Sequence, residues 1–433
     1  REIFDDKFTY IYHDLETAGL IYISLYFDIN HLSLDELRYL SLINDFMGSV
    51  DTSNLSYTEI DDVLFQYLSQ ANFSNAIINA DESKITRLEK VSFTSTEKTF
   101  EKAIDLMASF MFNSKFDNQK RILEILRMKK AYFESTMYDQ GHVIAINRAN
   151  THIDMASMIK DEISGIGSYI FTKEKIDEAQ NDFDGFVGKI TDIYQKIFTS
   201  SLEINITSSR KDFKKVKEVI NSHFNNLGDA KENVEIKFTP KYYKEAILSD
   251  ANVNYISQSS DLKNYGGKFD GEIILLASVL SNPYLYELIR AKGGAYGAGI
   301  TINRSGLLST YSYRDPHIRE TIEVFGKIPE ITGEISLSDR EFENQQISSM
   351  GSLLRPKSAL NLADEDYIRY KKENPIDPEK ILSEIKYTKL SEIRSYKNLF
   401  KDALAKENIC VFGNRESIID AKDNFDKIID LNE

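Results

Sequence analysis

The sequence predicts an α+β protein made of two homologous α/β domains, each a mainly antiparallel sheet packed with helices. Three observations carry this. Short strands rich in β-branched and aromatic residues alternate with longer helical stretches. The second half replays the first: Leu202–Arg210 followed by a helix resembles Ile409–Arg415 followed by a helix to Leu431, and Ile21-Tyr22-Ile23-Ser24 resembles Asn254-Tyr255-Ile256-Ser257. At 433 residues the chain also exceeds what one hydrophobic core ordinarily serves. The repeat is too long for a solenoid, and the pattern is not a βαβ array.

The elements follow in order. Phe8–His13 reads as a strand, and the Glu16–Gly19 turn predicts a hairpin between it and Leu20–Asp28. Leu34–Met47 is a helix, with Leu34, Leu37, Leu40, Ile43 and Met47 at spacings of three and four. Helices are expected over Thr99–Phe112, Asn118–Tyr138, a long run around Lys173–Phe198, and Asp212–Phe224, with a short strand at Leu202–Ile206. The polar segment Asn225–Asn233 has no periodicity on either side, which predicts domains 1–228 and 229–433.

Composition excludes several classes of function. With 42% hydrophobic and 28% charged residues, the chain is not mainly disordered. No run approaches 18 uncharged apolar residues, so neither a membrane-spanning helix nor a membrane partner is expected. A net charge of −15 argues against a nucleic-acid partner, which demands a basic face. The single cysteine, Cys410, permits neither an internal disulfide nor a cysteine-rich zinc site, and within Ile-Cys-Val-Phe it reads as a buried strand residue. Arg1 is not an initiator methionine and no leader follows it, which suggests a mature or cut product. Nothing specifies a compartment, and the cytoplasm is the default expectation.

The most informative stretch is Gly271–Glu320. An amphipathic helix over Glu272–Ala291 is interrupted by Pro283. It runs into Arg290-Ala-Lys-Gly-Gly-Ala-Tyr-Gly-Ala-Gly299, glycine-dense where a helix end needs left-handed residues and close backbone approach. A hairpin follows, Tyr296–Ile302 and Leu307–Arg314, turned by Asn303–Gly306. Asp315-Pro316 reads as N-cap and first position of a helix along Ile318, Ile322 and Phe325. The glycines reverse the order of a dinucleotide fingerprint and flow from helix into strand, so nucleotide binding is rejected.

Arg290–Gly299 with its hairpin and Ser312–Pro316 resemble the C-terminal half of the pitrilysin/insulinase metallopeptidases, in the presequence protease and falcilysin branch. Gly19–Asn30, the leucine-rich helix and Gly48–Asp62 fit the same branch. The resemblance implies a LuxS/pitrilysin-like duplication: four homologous domains in two halves, closing around a short unstructured peptide. The first half of such an enzyme carries zinc on H-x-x-E-H. None of the six histidines here, His13, His31, His142, His152, His223 and His317, is followed by Glu-His at that spacing. The chain therefore corresponds to the third and fourth domains, with no catalytic residue, metal ligand or cofactor of its own. The zinc and the partner are expected in the N-terminal catalytic half.

What the resemblance assigns to this half is substrate contact. It implies that Arg290 and Tyr296, six residues apart, reach the peptide backbone beside the zinc, with Gly293 and Gly294 allowing close approach. A guanidinium and a phenol suit a carbonyl oxygen that gathers charge. Simpler readings stand beside this. Arg290 would bond the helix-terminal carbonyls, and Tyr296 would pack in the core. Lys292 is a solvated cation, Ser312, Tyr313 and Asp315 are turn and cap residues, and His142, His152 and His317 have structural or solvated roles. The alternative function is a free-standing, catalytically dead subunit that pairs with a catalytic one or holds peptides.

Overall fold

The computed structural model describes residues 1–79, 84–224, 227–228, 231–372 and 375–432, without the side chain of Lys211. Parts of the expected boundary segment, residues 225, 226, 229 and 230, fall outside the described residues.

Among the described residues there are two six-stranded sheets. The first comprises β1 (Glu2–Asp5), β2 (Thr9–Asp14), β3 (Leu20–Asp28), β4 (Gln70–Asn79), β5 (Ile85–Thr96) and β6 (Leu202–Ser208), in the order β1-β2-β6-β3-β5-β4. The second comprises β7 (Lys244–Ser249), β8 (Asn254–Asp261), β9 (Gly297–Ile302), β10 (Leu307–Asp315), β11 (Ile409–Asn414) and β12 (Lys427–Asp430), in the order β12-β7-β11-β8-β10-β9. The duplication is explicit in the hydrogen bonding. β6 runs parallel to β2 and antiparallel to β3, and β11 likewise runs parallel to β7 and antiparallel to β8. The paired segments read from sequence, Ile21–Ser24 and Asn254–Ser257, lie on the equivalent strands β3 and β8.

Three expectations need correction. The strands at Phe8–His13 and Leu20–Asp28 do not form a hairpin. The Glu16–Gly19 turn exists, with Ala18 and Gly19 at positive φ, but β6 inserts between the two strands and takes the ladder bonds of both. The run around Lys173–Phe198 is two helices, Ile166–Asn181 and Phe183–Ile197, because Asp182 leaves helical geometry and caps Gly185. The last helix, expected to reach Leu431, stops at Asp420. The chain then returns as β12, held by a bidentate Arg415–Asp430 pair at 2.6 Å.

Helix Leu34–Phe46 forms where its stripe predicts. Ser33 and Glu36 close a capping box, and Leu37, Leu40 and Ile43 are wholly buried. By length and composition the stretch Gly271–Ala291 is long and apolar enough to cross a membrane, with a window of mean hydropathy 1.2. It is nonetheless a core element: Asn282 breaks it with extended backbone, and Ile273, Leu275, Leu276, Leu280, Leu285 and Ile289 pack into the second sheet's core cluster.

The compact units are not contiguous. Unit 1 joins Arg1–Phe133, Glu162–Lys237 and Lys357–Pro375; unit 2 joins Glu134–Asp161, Phe238–Pro356 and Ile376–Glu433. Each unit thus includes a segment from across the 228/229 division, which a contiguous division does not anticipate. The reason is burial of the second sheet face. In unit 1, helix Ala359–Tyr370 stacks Tyr367 on Tyr26, rings 3.7 Å apart, and Asp364 pairs with Lys90 at 2.7 Å. In unit 2, helix Gly141–Thr151 packs against β8, β10 and β11. A Cβ on Gly141 would lie 2.4 Å from the Tyr255 ring, so only glycine permits that approach.

Unit 2 also buries a charged network. Glu245 on β7 has no exposed surface; it accepts a hydrogen bond from Arg148 Nε at 2.6 Å and lies 3.1 Å from Lys427 Nζ and 3.5 Å from His152 Nε2. Arg148 spans on to Asp161 at 2.7 Å. Burial would raise the Glu245 carboxyl, but the hydrogen bonds and charges of His152 and Arg148 outweigh it and hold the group well below the usual range.

Unit 1 shows the opposite case. Glu89 on β5 is wholly buried beside the amides of Asn44 and Asn75, and burial pushes its carboxyl well above the glutamate value of 4.5. The folded state therefore keeps a proton that the unfolded chain releases, and this group's contribution falls as pH rises above that value. Glu89→Gln is expected to raise the thermal midpoint at about pH 8 and not at about pH 4. Thermal denaturation at the two pH values checks it, and equal shifts at both would refute the assignment.

Candidate substrate-contact site

The site grows from one turn of unit 2. The helix ending at Ala291 is widened to a π-helical spacing. Its exit carries the widening forward: Gly294 N bonds Arg290 O at 3.0 Å and Ala295 N bonds Ile289 O at 3.1 Å, each one residue wider than in a Schellman cap. The glycines are dictated by this geometry. Gly294 has φ +80°, and a Cβ on Gly293 would sit 2.6 Å from Ile289 O. Tyr296 N then bonds Tyr313 O at 3.0 Å, which starts the β9–β10 pairing.

This turn brings Arg290 and Tyr296 together on the surface. Tyr296 is 66% exposed and is not a core residue. The Arg290 guanidinium lies over two rings, 4.9 Å from the centroid of Tyr286 and 5.4 Å from that of Tyr296. Among the described residues Arg290 makes no hydrogen bond or ion pair, so it does not cap the helix carbonyls as the simpler reading held. Among the described residues neither its N–H donors nor the Tyr296 hydroxyl has a hydrogen-bond partner. Lys292 is engaged by Glu287 at 3.3 Å.

A cluster of aromatic rings continues inward from the pair. Tyr296 meets Tyr313 edge-on at 5.9 Å, and Tyr313 meets His142 at 4.9 Å and Tyr255 at 5.6 Å. Burial lowers the His142 imidazole below its ordinary value. Sequence reasoning missed Tyr286, Tyr313 and His142 as neighbours of the pair. The spacing Tyr286–Arg290 was a usable helical signal; His142 lies in a distant segment and left none.

The remaining expectations sort simply. Asp315 ends β10 rather than capping the next helix: its carboxylate accepts the His317 N–H at 2.9 Å and the Thr321 hydroxyl at 2.7 Å, while His317 occupies the N-cap. Ser312 is buried on β10, Cys410 is buried on β11, and His317 is exposed. His152 stacks on Tyr243 at 3.8 Å and pairs with Asn408 at 3.0 Å. Among the described residues no group of three His, Cys, Asp or Glu is placed to hold a metal ion, so these side chains do not fit a resident zinc.

Comparison with known proteins agrees with this layout. Residues 2–174 match the family of domains associated with subfamily C of the M16 peptidases, and residues 244–412 match the PreP C-terminal domain. Protein HypA of Clostridium perfringens is 28% identical over 434 residues, covering 98% of this chain and 44% of that protein. Presequence protease 1 of Arabidopsis thaliana is 23% identical over 72% of this chain and 29% of that protein. The chain thus spans less than half the length of these relatives. Among solved structures, a conserved protein from Enterococcus faecalis V583 aligns with a TM-score of 0.68 at 10% identity, covering 94% of this chain and 96% of that one. A peptidase M16 inactive domain from Pseudomonas fluorescens aligns at 0.63 and 11%, covering 95% and 96%. The duplicated sheets and the two successive family matches lead to one conclusion: this chain belongs to the pitrilysin (M16) family, in its presequence-protease branch, and corresponds to the C-terminal half of such a protein.

Proposed function

We propose that this chain is the non-catalytic half of a zinc-dependent metalloendopeptidase that degrades short unstructured peptides. It walls the chamber and brings Arg290 and Tyr296 to the substrate backbone beside a zinc held by the N-terminal half. The observation that carries the reading is the exposed pair with unspent donors, set on a turn whose glycines keep side chains out of its approach. A guanidinium and a phenol can hydrogen-bond a peptide carbonyl and strengthen as that oxygen gains charge. The zinc, when bound in the partner half, supplies the activated water. The side chains of this half orient and polarise the scissile peptide.

The test is reconstitution. The isolated chain should bind no stoichiometric zinc and show no chelator-sensitive cleavage of a short unstructured peptide, and joining it to the half carrying H-x-x-E-H should give zinc-dependent cleavage. Robust cleavage with bound zinc by this chain alone would sink the reading.

A further inference from the structure

We infer that Tyr286 is a positioning residue for Arg290, clamping its guanidinium together with Tyr296; the inference rests on Arg290 being a substrate contact. A guanidinium is planar, with its N–H donors in the plane and its faces free to stack. The guanidinium carbon lies over both the Tyr286 and Tyr296 rings, 4.9 and 5.4 Å from their centroids. Cation–π contact spends no N–H donor, so those of Arg290 stay open to a peptide carbonyl or carboxylate. With no hydrogen bond or ion pair on Arg290 among the described residues, the rings are what fix a side chain that would otherwise sample many rotamers.

Each part of the clamp is itself held. Tyr286 lies four residues before Arg290 in the widened helix, a spacing that puts both on one face. The adjoining Tyr284 hydroxyl accepts the Ser336 N–H at 2.7 Å, which ties down this stretch of helix. Tyr296 is fixed by its main-chain bond to Tyr313 and by the edge-on Tyr313 ring. Lys292 cannot displace Arg290 between the rings while it pairs with Glu287. Tyr286 is 43% exposed, more than core packing would leave it.

Two measurements test the clamp. In the 433-residue chain, side-chain proton resonances of Arg290 should carry an upfield ring-current shift that Tyr286→Leu reduces and Tyr286→Phe retains. In the longer protein that includes the zinc-bearing half, Tyr286→Leu should lower kcat/KM for a short unstructured peptide by about three- to thirty-fold. Its thermal midpoint should not move, and Tyr286→Phe should stay within about twofold of the parent because the ring remains. If Tyr286→Leu leaves kcat/KM and the ring-current shift unchanged while Arg290→Ala lowers turnover, the clamp is overturned and the site reading stands. If Arg290→Ala also leaves turnover unchanged, the site reading falls and takes the clamp with it.

Discussion

Tyr296→Phe and Arg290→Ala, made in the protein that joins this chain to its zinc-bearing half, are expected to lower kcat by roughly 10²–10³ each, about 2.7–4 kcal/mol of transition-state stabilisation. Thermal stability should be nearly untouched, since both side chains are exposed and neither holds a hydrogen bond or ion pair among the described residues. The separation of activity from stability is the discriminating feature. A core tyrosine or a helix-capping arginine would lose stability first and activity only as a consequence. Peptide-cleavage kinetics with a thermal melt on the same preparations check both limbs. Unchanged turnover in both variants would return the pair to ordinary surface residues. Arg290→Lys should behave like the alanine variant, because an ammonium cannot stack between two rings and present a planar fork.

The second large effect lies in the core of unit 2. Arg148→Ala is expected to destabilise that unit by up to roughly 3–5 kcal/mol, because it removes the cation that buried Glu245 and Asp161 share and leaves Lys427 and His152 to offset part of the Glu245 charge. The network also makes unit 2 acid-sensitive. The Glu245 carboxyl is depressed in the folded state, so its stabilisation is present above the ordinary glutamate value of 4.5 and is lost as pH falls through the folded value. Replacing Glu245 with Gln should flatten that acid limb while lowering stability at neutral pH. Denaturant unfolding followed at several pH values would show it. An Arg148→Ala variant as stable as the parent at neutral pH would mean that water or rearranged side chains replace the pair.

The two effects divide along what each residue touches. Glu245 and Arg148 sit where nearly all solvent is excluded, so removing one charge exposes the other's desolvation cost. Arg290 and Tyr296 sit in solvent, where their donors cost the folded protein little and remain available to a ligand.

Much of the architecture was legible from local pattern. The leucine stripe identifies helix Leu34–Phe46, the Asn303–Gly306 turn identifies the β9–β10 hairpin, and the glycines after Arg290 identify a left-handed helix exit. Each is a short-range signal, set by residues within a few positions of one another. The errors also have a common cause. Two neighbouring strands with a tight turn look like a hairpin until a strand about 190 residues later takes the place between them, as β6 does for β2 and β3. The Lys173–Phe198 run looks continuous because Asp182 differs little in polarity from its neighbours; only its side-chain bond to Gly185 marks the break.

Periodicity, turn chemistry and the internal repeat pointed to two α+β domains, and the resemblance to the pitrilysin family drew attention to the missing zinc motif and to Arg290 and Tyr296. Those features depend on residues close in the chain, whose covalent geometry limits what they can do. Which helix covers each sheet's second face, which carboxylates are buried, and that His142 joins the rings beside Tyr296 are settled by contacts between segments tens to hundreds of residues apart. Chain order does not encode such proximity directly, because apolar burial is non-directional and many pairings satisfy the same pattern. Packing selects one of them, and here it leaves the pair of donors in solvent and the charged network sealed inside.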